Sequence, residues 1–239
     1  MNATTHLLAT DLDGTFVGDS AELRNLLEFY SKQLYNVTLV YVTGRHFQSA
    51  LSLMEEEGLP APDLLVTDVG TEIRKGPEFV MDEDWHAKID EGWMPDQIDA
   101  IAAQIEGIEK QLLPVTNRCS FFARSEEALL NLENHLKKNE IPHKLIYSGG
   151  RDVDILPAHS GKGQALLYLK EKYQLHAAKW LVAGDSGNDL EMLTLGLPSV
   201  IVGNAQPELK ECPEHPNIFR ATKPCAGGIQ EAWQYFHPS

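Results

Sequence analysis

The chain has 239 residues, 43% of them hydrophobic, which is enough for one large domain or for a core with a smaller second unit. Lys and Arg total 20 against 35 Asp and Glu, a formal charge of -15 that argues against nucleic acid or an anionic membrane surface as partner. Any site for an anion must then be made positive locally, by a metal, by Lys or Arg, or by helix N-termini.

Residues 7–10 are a short apolar run that ends at Asp11 and predicts a buried strand. Residues 21–34 carry helical periodicity, with Ser20 as the expected cap. A second strand, rich in β-branched residues, is predicted over 37–42 and breaks at Thr43-Gly44-Arg45. A helix over 47–57 closes at Gly58, and a third strand follows over 63–67. This alternation implies an α/β fold, a Rossmann-like parallel sheet with helices on its faces. Near residue 79 the pattern changes. Helices are expected over 85–93 and 97–109, a strand over 118–123, a helix over 126–139, and strands over 144–148 and 153–156. That mixture predicts an inserted α+β cap over 79–158, leaving 1–78 and 159–239 as the core. Alternation then resumes, with a helix over 164–173, a strand over 180–183, a helix over 190–195 and a strand over 199–202. Segments at 208–211, 219 and 229–236 complete the core. No stretch reaches the roughly 18 apolar residues of a membrane helix, and residues 1–10 do not read as a signal peptide. Cys119, Cys212 and Cys225 are scattered, which suits free thiols in a reducing, cytoplasmic setting and gives no zinc spacing.

Four turns carry residues suited to chemistry. Asp11-Leu12-Asp13-Gly14-Thr15 follows the first strand, at the end where open α/β sheets bind ligands. Asp11 can attack phosphorus, since a carboxylate needs no activating base. Asp13 can act as acid for the leaving oxygen and then as base for water. Gly184-Asp185-Ser186-Gly187-Asn188-Asp189 returns a second set of oxygens to the sheet end. Asp11 and Asp185, with a backbone carbonyl at Asp13, suit Mg2+, which takes few protein carboxylates. Asp189 can bind the metal, act through water, or hold Lys162. Thr43, Gly44 and Arg45 offer a hydroxyl, N–H groups and a cation to phosphate. Lys162 opens a helix, where the dipole disfavours a cation, so an anionic neighbour is expected. The ordinary alternatives are an Asx turn, a helix N-cap, a helix-start turn and a solvated lysine.

The order Asp-x-Asp, Thr, Lys, Gly-Asp-x-x-x-Asp resembles the haloacid-dehalogenase-like phosphatases along essentially the whole chain. The resemblance implies a Mg2+-dependent aspartyl-phosphate mechanism. Asp11 is the implied nucleophile, Asp13 the acid/base, Thr43 and Lys162 the phosphate-stabilising pair, and Asp185 and Asp189 the metal-site acids. A narrower resemblance is to sucrose-phosphate phosphatases of the short cyanobacterial type. It rests on Val69-Gly70-Thr71-Glu72-Ile73, on residues 151–157, on 184–189 and on Gly203-Asn204-Ala205-Gln206-Pro207-Glu208-Leu209. It implies sucrose 6-phosphate as substrate and adds Gly70, Thr71 and Asn188 to the candidate contacts. Glu72, Asp152, Asp154 and Asn204 can read sugar hydroxyls, and Asp152 and Asp154 share one strand face. Trp85 and Trp93 fit core packing better than sugar stacking. The expected partner is a small sugar phosphate bound by a monomer, with the upstream sugar-phosphate synthase as a candidate protein partner. Other substrates, such as mannosylfructose phosphate or a mannosylglycerate-type phosphate, and a related phosphotransferase remain as alternatives. A signalling receiver is disfavoured because Asp13 would speed loss of the phosphate.

Overall fold

All residues of β1 (His6–Thr10) are buried in the computed structural model, which describes residues 5–238. A central strand covered by helices on both faces needs apolar residues on both sides. The chain then forms α1 (Ser20–Ser31), β2 (Val37–Val42), α2 (Phe47–Glu56) and β3 (Leu64–Thr67). The cap of α1 is Asp19 rather than the expected Ser20. Its carboxylate accepts from the N–H groups of Ala21 and Glu22 at 3.0 and 3.1 Å, and its charge also suits the helix dipole.

β4 (Glu72–Lys75) and β5 (Val80–Met81) turn back antiparallel and extend the core sheet, followed by α3 (Glu83–Asp90). Trp85 and Ile89 of α3 pack with Leu7, Ala9 and Leu166. Trp85 also lies against Tyr168, with ring centroids 5.0 Å apart. The boundary expected at residue 79 therefore moves later, because this stretch buries its apolar side chains in the core.

The cap comprises α4 (Pro95–Ala102), β6 (Ile108–Lys110), β7 (Cys119–Ala123), α5 (Glu126–Lys138), β8 (Lys144–Ser148) and β9 (Asp152–Leu156). Its sheet is antiparallel, in the order β6-β7-β9-β8. Ile98, Phe121, Leu132, Leu136, Val153 and Ile155 belong to a hydrophobic cluster of its own. The single helix expected over 97–109 is two elements, since Gly107 at φ +86° turns the chain into β6. Trp93 edges this cluster and donates its indole N–H to the Thr116 carbonyl at 2.9 Å.

The chain re-enters the core as α6 (Lys162–Lys172), β10 (Lys179–Gly184), α7 (Leu190–Leu193), β11 (Ser199–Ile201), α8 (Pro207–Lys210), β12 (Ile218–Arg220) and α9 (Cys225–Phe236). Among the described residues the core sheet runs β12-β11-β10-β1-β2-β3-β4-β5. Two hydrophobic layers flank it, one containing Leu166 and Trp180, the other Leu26, Ala50 and Trp233. From β1 the chain first builds outward through β2 and β3, and later returns to the other side as β10. That junction is the topological switch point, where parallel sheets open a crevice. Thr10 pairs with Ala183, so Asp11 and Asp185 leave the sheet side by side. No helix among the described residues is long and apolar enough to cross a membrane.

Candidate active site

Asp11 leaves β1 with its N–H donated to the Ala183 carbonyl at 3.0 Å. The next turn is tight, with the N–H groups of Thr15, Phe16 and Val17 all directed at the Leu12 carbonyl. Gly14 is required there. Its φ is +77°, and a Cβ would lie 2.7 Å from Asp185 Oδ2.

The turn at the end of β2 stands beside it. Thr43 is fully buried, and its hydroxyl oxygen accepts the Arg45 N–H at 3.1 Å. Arg45 grips Asp13 with two parallel bonds, Nε to Oδ2 at 2.7 Å and Nη2 to Oδ1 at 2.8 Å. The Asp13 side chain stays 51% exposed, so it remains reachable from solvent. Gly44 packs towards the Asn188 amide, 3.6 Å from where a Cβ would be, which brings this turn to the 184–189 turn.

Lys162 is fully buried at the start of α6. Its ammonium donates to Asp11 Oδ1 at 2.7 Å, Asn188 Oδ1 at 2.8 Å and Asp189 Oδ1 at 2.6 Å, which uses all three of its N–H groups. Asp189 Oδ2 accepts from the N–H groups of Asp185 and Ser186 at 3.0 and 3.1 Å. Of the roles open to Asp189, this geometry corresponds to holding Lys162 and bracing the turn. Asp185 accepts the Thr15 hydroxyl at 3.0 Å.

Asp11, Asp185 and Asp189 are buried and bring one oxygen each within 4.8 Å of one another. Burial pushes the Asp11 carboxyl up to about 8; Lys162 opposes the shift, while Asp189 and Asp185 add to it. Burial and the neighbouring Asp189 push Asp185 up to about 6. Burial also opposes the charge of Lys162, yet Asp11 and Asp189 hold it above the usual ammonium range. One ammonium does not balance these carboxylates. An all-oxygen set with surplus negative charge fits a hard divalent cation. The carboxylate of Asp13 is turned to Arg45 and stands apart from the cluster.

A strained segment separates this centre from the cap. Asp68, Val69 and Gly70 have φ of +52°, +58° and +97°, two of them at non-glycine residues. The strain is held by Asp68 N–H to the Arg45 carbonyl at 2.9 Å and Val69 N–H to the Thr43 carbonyl at 3.1 Å. A Cβ on Gly70 would lie 2.2 Å from the Gly161 carbonyl carbon, so Gly70 lets this turn touch the turn that delivers Lys162. Asn204 donates to the Gly14 carbonyl and accepts from the Cys225 N–H, at 2.7 and 2.8 Å. Gly70 and Asn204 thus hold the turns together.

Thr71 and Glu72 line a cavity of about 460 Å³ between the core and the cap, along with His46, Gln48, His86 and Asn117. Glu72 is pinned by Arg74 Nε at 2.7 Å and by the Thr67 hydroxyl at 3.2 Å. Asp152 and Asp154 lie outside that lining, on the cap sheet. Asp154 accepts the Ser120 hydroxyl at 2.5 Å, and Asp152 accepts the Gln111 amide at 3.3 Å.

Arg118 and Asp68 were not singled out from the sequence. The Arg118 side chain is 6% exposed. It donates to the Gly44 carbonyl at 2.8 Å, lies 3.1 Å from Asp68 Oδ1 and 3.7 Å from Asp154 Oδ1. Burial pushes Asp68 up to about 7 against the pull of Arg118. Asp68 Oδ1 and Arg118 Nε make no hydrogen bond within the protein, so this buried pair keeps polar capacity free. The only sequence signal for Arg118 is a cation at the mouth of an apolar strand.

A profile of the sucrose-6F-phosphate phosphohydrolase family matches residues 4–237. The solved structure of the sucrose-phosphatase from Synechocystis sp. PCC6803, in complex with sucrose and phosphate, superposes with a TM-score of 0.91 at 36% identity, covering 98% of each chain. A mannosylfructose-phosphate phosphatase from Agrobacterium fabrum is 32% identical over 96% of both chains. A glucosylglycerol-phosphate synthase from Pseudomonas anguilliseptica is 35% identical over 96% of this chain but only 30% of its own length. The chain spans 59% of the length of three matched plant sucrose-phosphatases. With a family profile covering almost every residue, the chain belongs to the sucrose-6F-phosphate phosphohydrolase family.

Proposed function

We propose that this chain hydrolyses a sugar phosphate, sucrose 6-phosphate in the first place, through an aspartyl phosphate on Asp11. The observation that carries the reading is the Lys162 ammonium bonded to Asp11 and Asp189 beside Asp185, with Asp13 two residues further on at the mouth of the strand. The Asp11 carboxylate attacks phosphorus and the bond to the sugar oxygen breaks. Asp13 gives that oxygen a proton, then takes one from the water that attacks the acyl phosphate. Inorganic phosphate leaves and Asp11 is regenerated. To do this Asp13 swings from Arg45 to the leaving oxygen, and a phosphate oxygen can occupy the guanidinium in its place. Lys162, on exchanging its bond to Asn188, holds a further phosphate oxygen together with the Thr43 hydroxyl and the Gly44 N–H. Asp11, Asp185 and the Asp13 carbonyl would hold Mg2+, which would offset the repulsion between carboxylate and phosphate, at ~4 Å and an effective dielectric of ~20 roughly 4 kcal/mol per charge pair.

Hydroxyl recognition is ascribed to Thr71 and Glu72 with Gln48, His86 and Asn117, and to Asp152, Asp154 and Arg118 on the cap side. Donors and acceptors along a cleft between core and cap suit a disaccharide better than an apolar group. The likeness to a mannosylfructose-phosphate phosphatase over nearly its full length supports that sugar phosphate as the second reading. The synthase relative, which holds a similar segment inside a longer chain, supports the upstream synthase as a candidate partner of this monomer. The test is phosphate release with Mg2+ from sucrose 6-phosphate, mannosylfructose phosphate, glucosylglycerol phosphate and a mannosylglycerate-type phosphate. The highest kcat/KM is expected for sucrose 6-phosphate. Transfer to a second sugar without free phosphate would instead indicate a phosphotransferase.

A further inference from the structure

We infer that Glu208 is a positioning residue that ties the seating of the cap to the shape of the 184–189 turn. One of its carboxylate oxygens serves both domains. Glu208 Oε1 accepts from Gly187 N–H, inside the turn, at 3.2 Å, and from Gly149 N–H, at the tip of the β8–β9 hairpin, at 3.3 Å.

Both donors are free for backbone reasons. Gly149 and Gly150 have φ of +58° and +66°, as at the two central positions of a type I′ turn. That loop closes by Arg151 N–H to the Ser148 carbonyl, which leaves the Gly149 N–H directed outward. In the 184–189 turn, Asp189 takes the N–H groups of Asp185 and Ser186, and the Ser186 carbonyl takes that of Asp189. Gly187 N–H turns the other way, to Glu208. There is no slack at this junction. A Cβ on Gly187 would lie 3.2 Å from Glu208 Cγ and 3.3 Å from the Tyr147 carbonyl oxygen of β8. Glu208 is aimed by its own segment, since Gln206 N–H donates to the Asp185 carbonyl at 2.7 Å.

Lifting the cap removes the Gly149 bond, loosens the Glu208 side chain and so weakens the support of Gly187, next to Asn188. Seating the cap restores both bonds at once. Both donors are neutral amides, so an amide oxygen at this position serves as well as a carboxylate. The inference rests on the reading of 184–189 as the metal-holding turn.

Hydrogen exchange of the full chain without ligands tests it. Glu208→Ala raises exchange roughly tenfold in both 147–151 and 185–189, leaves β7 and α5 unchanged, and Glu208→Gln stays within about twofold of the parent. Faster exchange at 185–189 with the hairpin tip unchanged overturns the coupling, and so does failure of Glu208→Gln to rescue. Should Glu208→Ala not fold, the unmodified chain decides. Mg2+ with beryllium fluoride then slows both segments by the same factor, and slowing of one alone overturns the inference. Slowing of neither segment refutes the metal-site reading, and Glu208→Met, which keeps the side-chain length and loses the acceptor, then judges the coupling: faster exchange in both segments upholds it, and faster exchange in one alone or in neither overturns it.

Discussion

In the core, Lys162 gathers Asp11, Asn188 and Asp189 around one point, and each comes from a strand end or the turn that follows it. In the cap, Asp154 and Ser120 face Arg118, which reaches out of its own domain to the Gly44 carbonyl and Asp68. Lys162 draws its partners from the core alone, whereas the cap's Arg118 divides its contacts between Asp154 in the cap and Asp68 and the Gly44 carbonyl in the core. The consequence is a division of labour. On the proposed reading the chemistry sits at the ends of β1 and β10, central strands that are buried on both faces and cannot shift independently. On the same reading, recognition draws on the cavity between the two units, and the cap has a hydrophobic cluster of its own, so its sugar-facing residues can vary without changing those that ring Lys162.

The sharpest way to break this division is Asp11→Asn. Turnover of every sugar phosphate is expected to fall by about 10⁴-fold or more, as when a nucleophile is removed. Phosphate release measures it, and the metal-free melting temperature should not fall, because burial disfavours the Asp11 anion. Retained turnover would mean that the core is not the chemical half. The next effect belongs to the interface. Arg118→Met should lower kcat/KM for the disaccharide phosphate about 10²-fold, on the scale of a lost charged hydrogen bond, with a much smaller change for p-nitrophenyl phosphate. It should also cost about 3 kcal/mol of stability, since Asp68 and Asp154 are left buried without their cation. Adding Asp68→Asn should recover part of the stability but not the sugar preference. Equal losses on both substrates would erase the distinction between the halves.

The same contrast governs what could be read beforehand. β1, β2, β3 and β10 are legible because buried parallel strands are apolar runs, and Asp11, Thr43 and Asp185 are legible because each follows one directly. Lys162 is marked by flanking glycines and by its cost at a helix start. β4 and β5 are not, because they are short strands at one end of the sheet whose charged residues, such as Arg74 and Lys75, mask any period. The break after α4 is hidden for a similar reason. Residues around Gly107 are good helix formers, and only that glycine signals the turn. Arg118 and Asp68 act through partners distant in sequence, and nothing local distinguishes them from surface charges; Glu208 stands in the 203–209 motif, but its link to Gly149 is a contact between distant segments. Gly70 and Asn204 stand in motifs legible in the sequence, but their close packing and backbone bonding between turns is visible only in the fold.

The independence of the cap can itself be tested. Leu132→Ala, in the middle of the cap cluster, should cost about 3 kcal/mol, the usual toll of truncating a buried leucine. Hydrogen exchange should then quicken over 98–155 and remain slow in β1 and β10. Uniform loosening of both domains would show that they unfold as one cooperative unit.

The smallest expected effect lies where the chain leaves the core. Asp82 caps α3 by accepting the Trp85 N–H at 3.1 Å, and its carboxylate also takes Lys172 at 2.8 Å and the Tyr168 hydroxyl at 2.8 Å. Burial opposes the charge of Asp82, but these bonds win and hold its carboxyl below the usual aspartate range. A depressed folded value means that the unfolded chain binds the proton more readily. The stabilisation is therefore fully present above the unfolded value, about 3.9, and is lost as pH falls through the lower folded value. Asp82→Asn keeps a capping oxygen and removes only the ion pair, whose lysine is partly exposed, so the loss at pH 7 should be about 1 kcal/mol or less. The gap in melting temperature between the two proteins should narrow as the pH is taken below 4. Because Tyr168 and Lys172 both lie on α6, the contact belongs to the core, and the ratio of activities on disaccharide and p-nitrophenyl phosphates should not move. A gap that widens on acidification, or a shift in that ratio, would place Asp82 on the recognition side of the molecule instead.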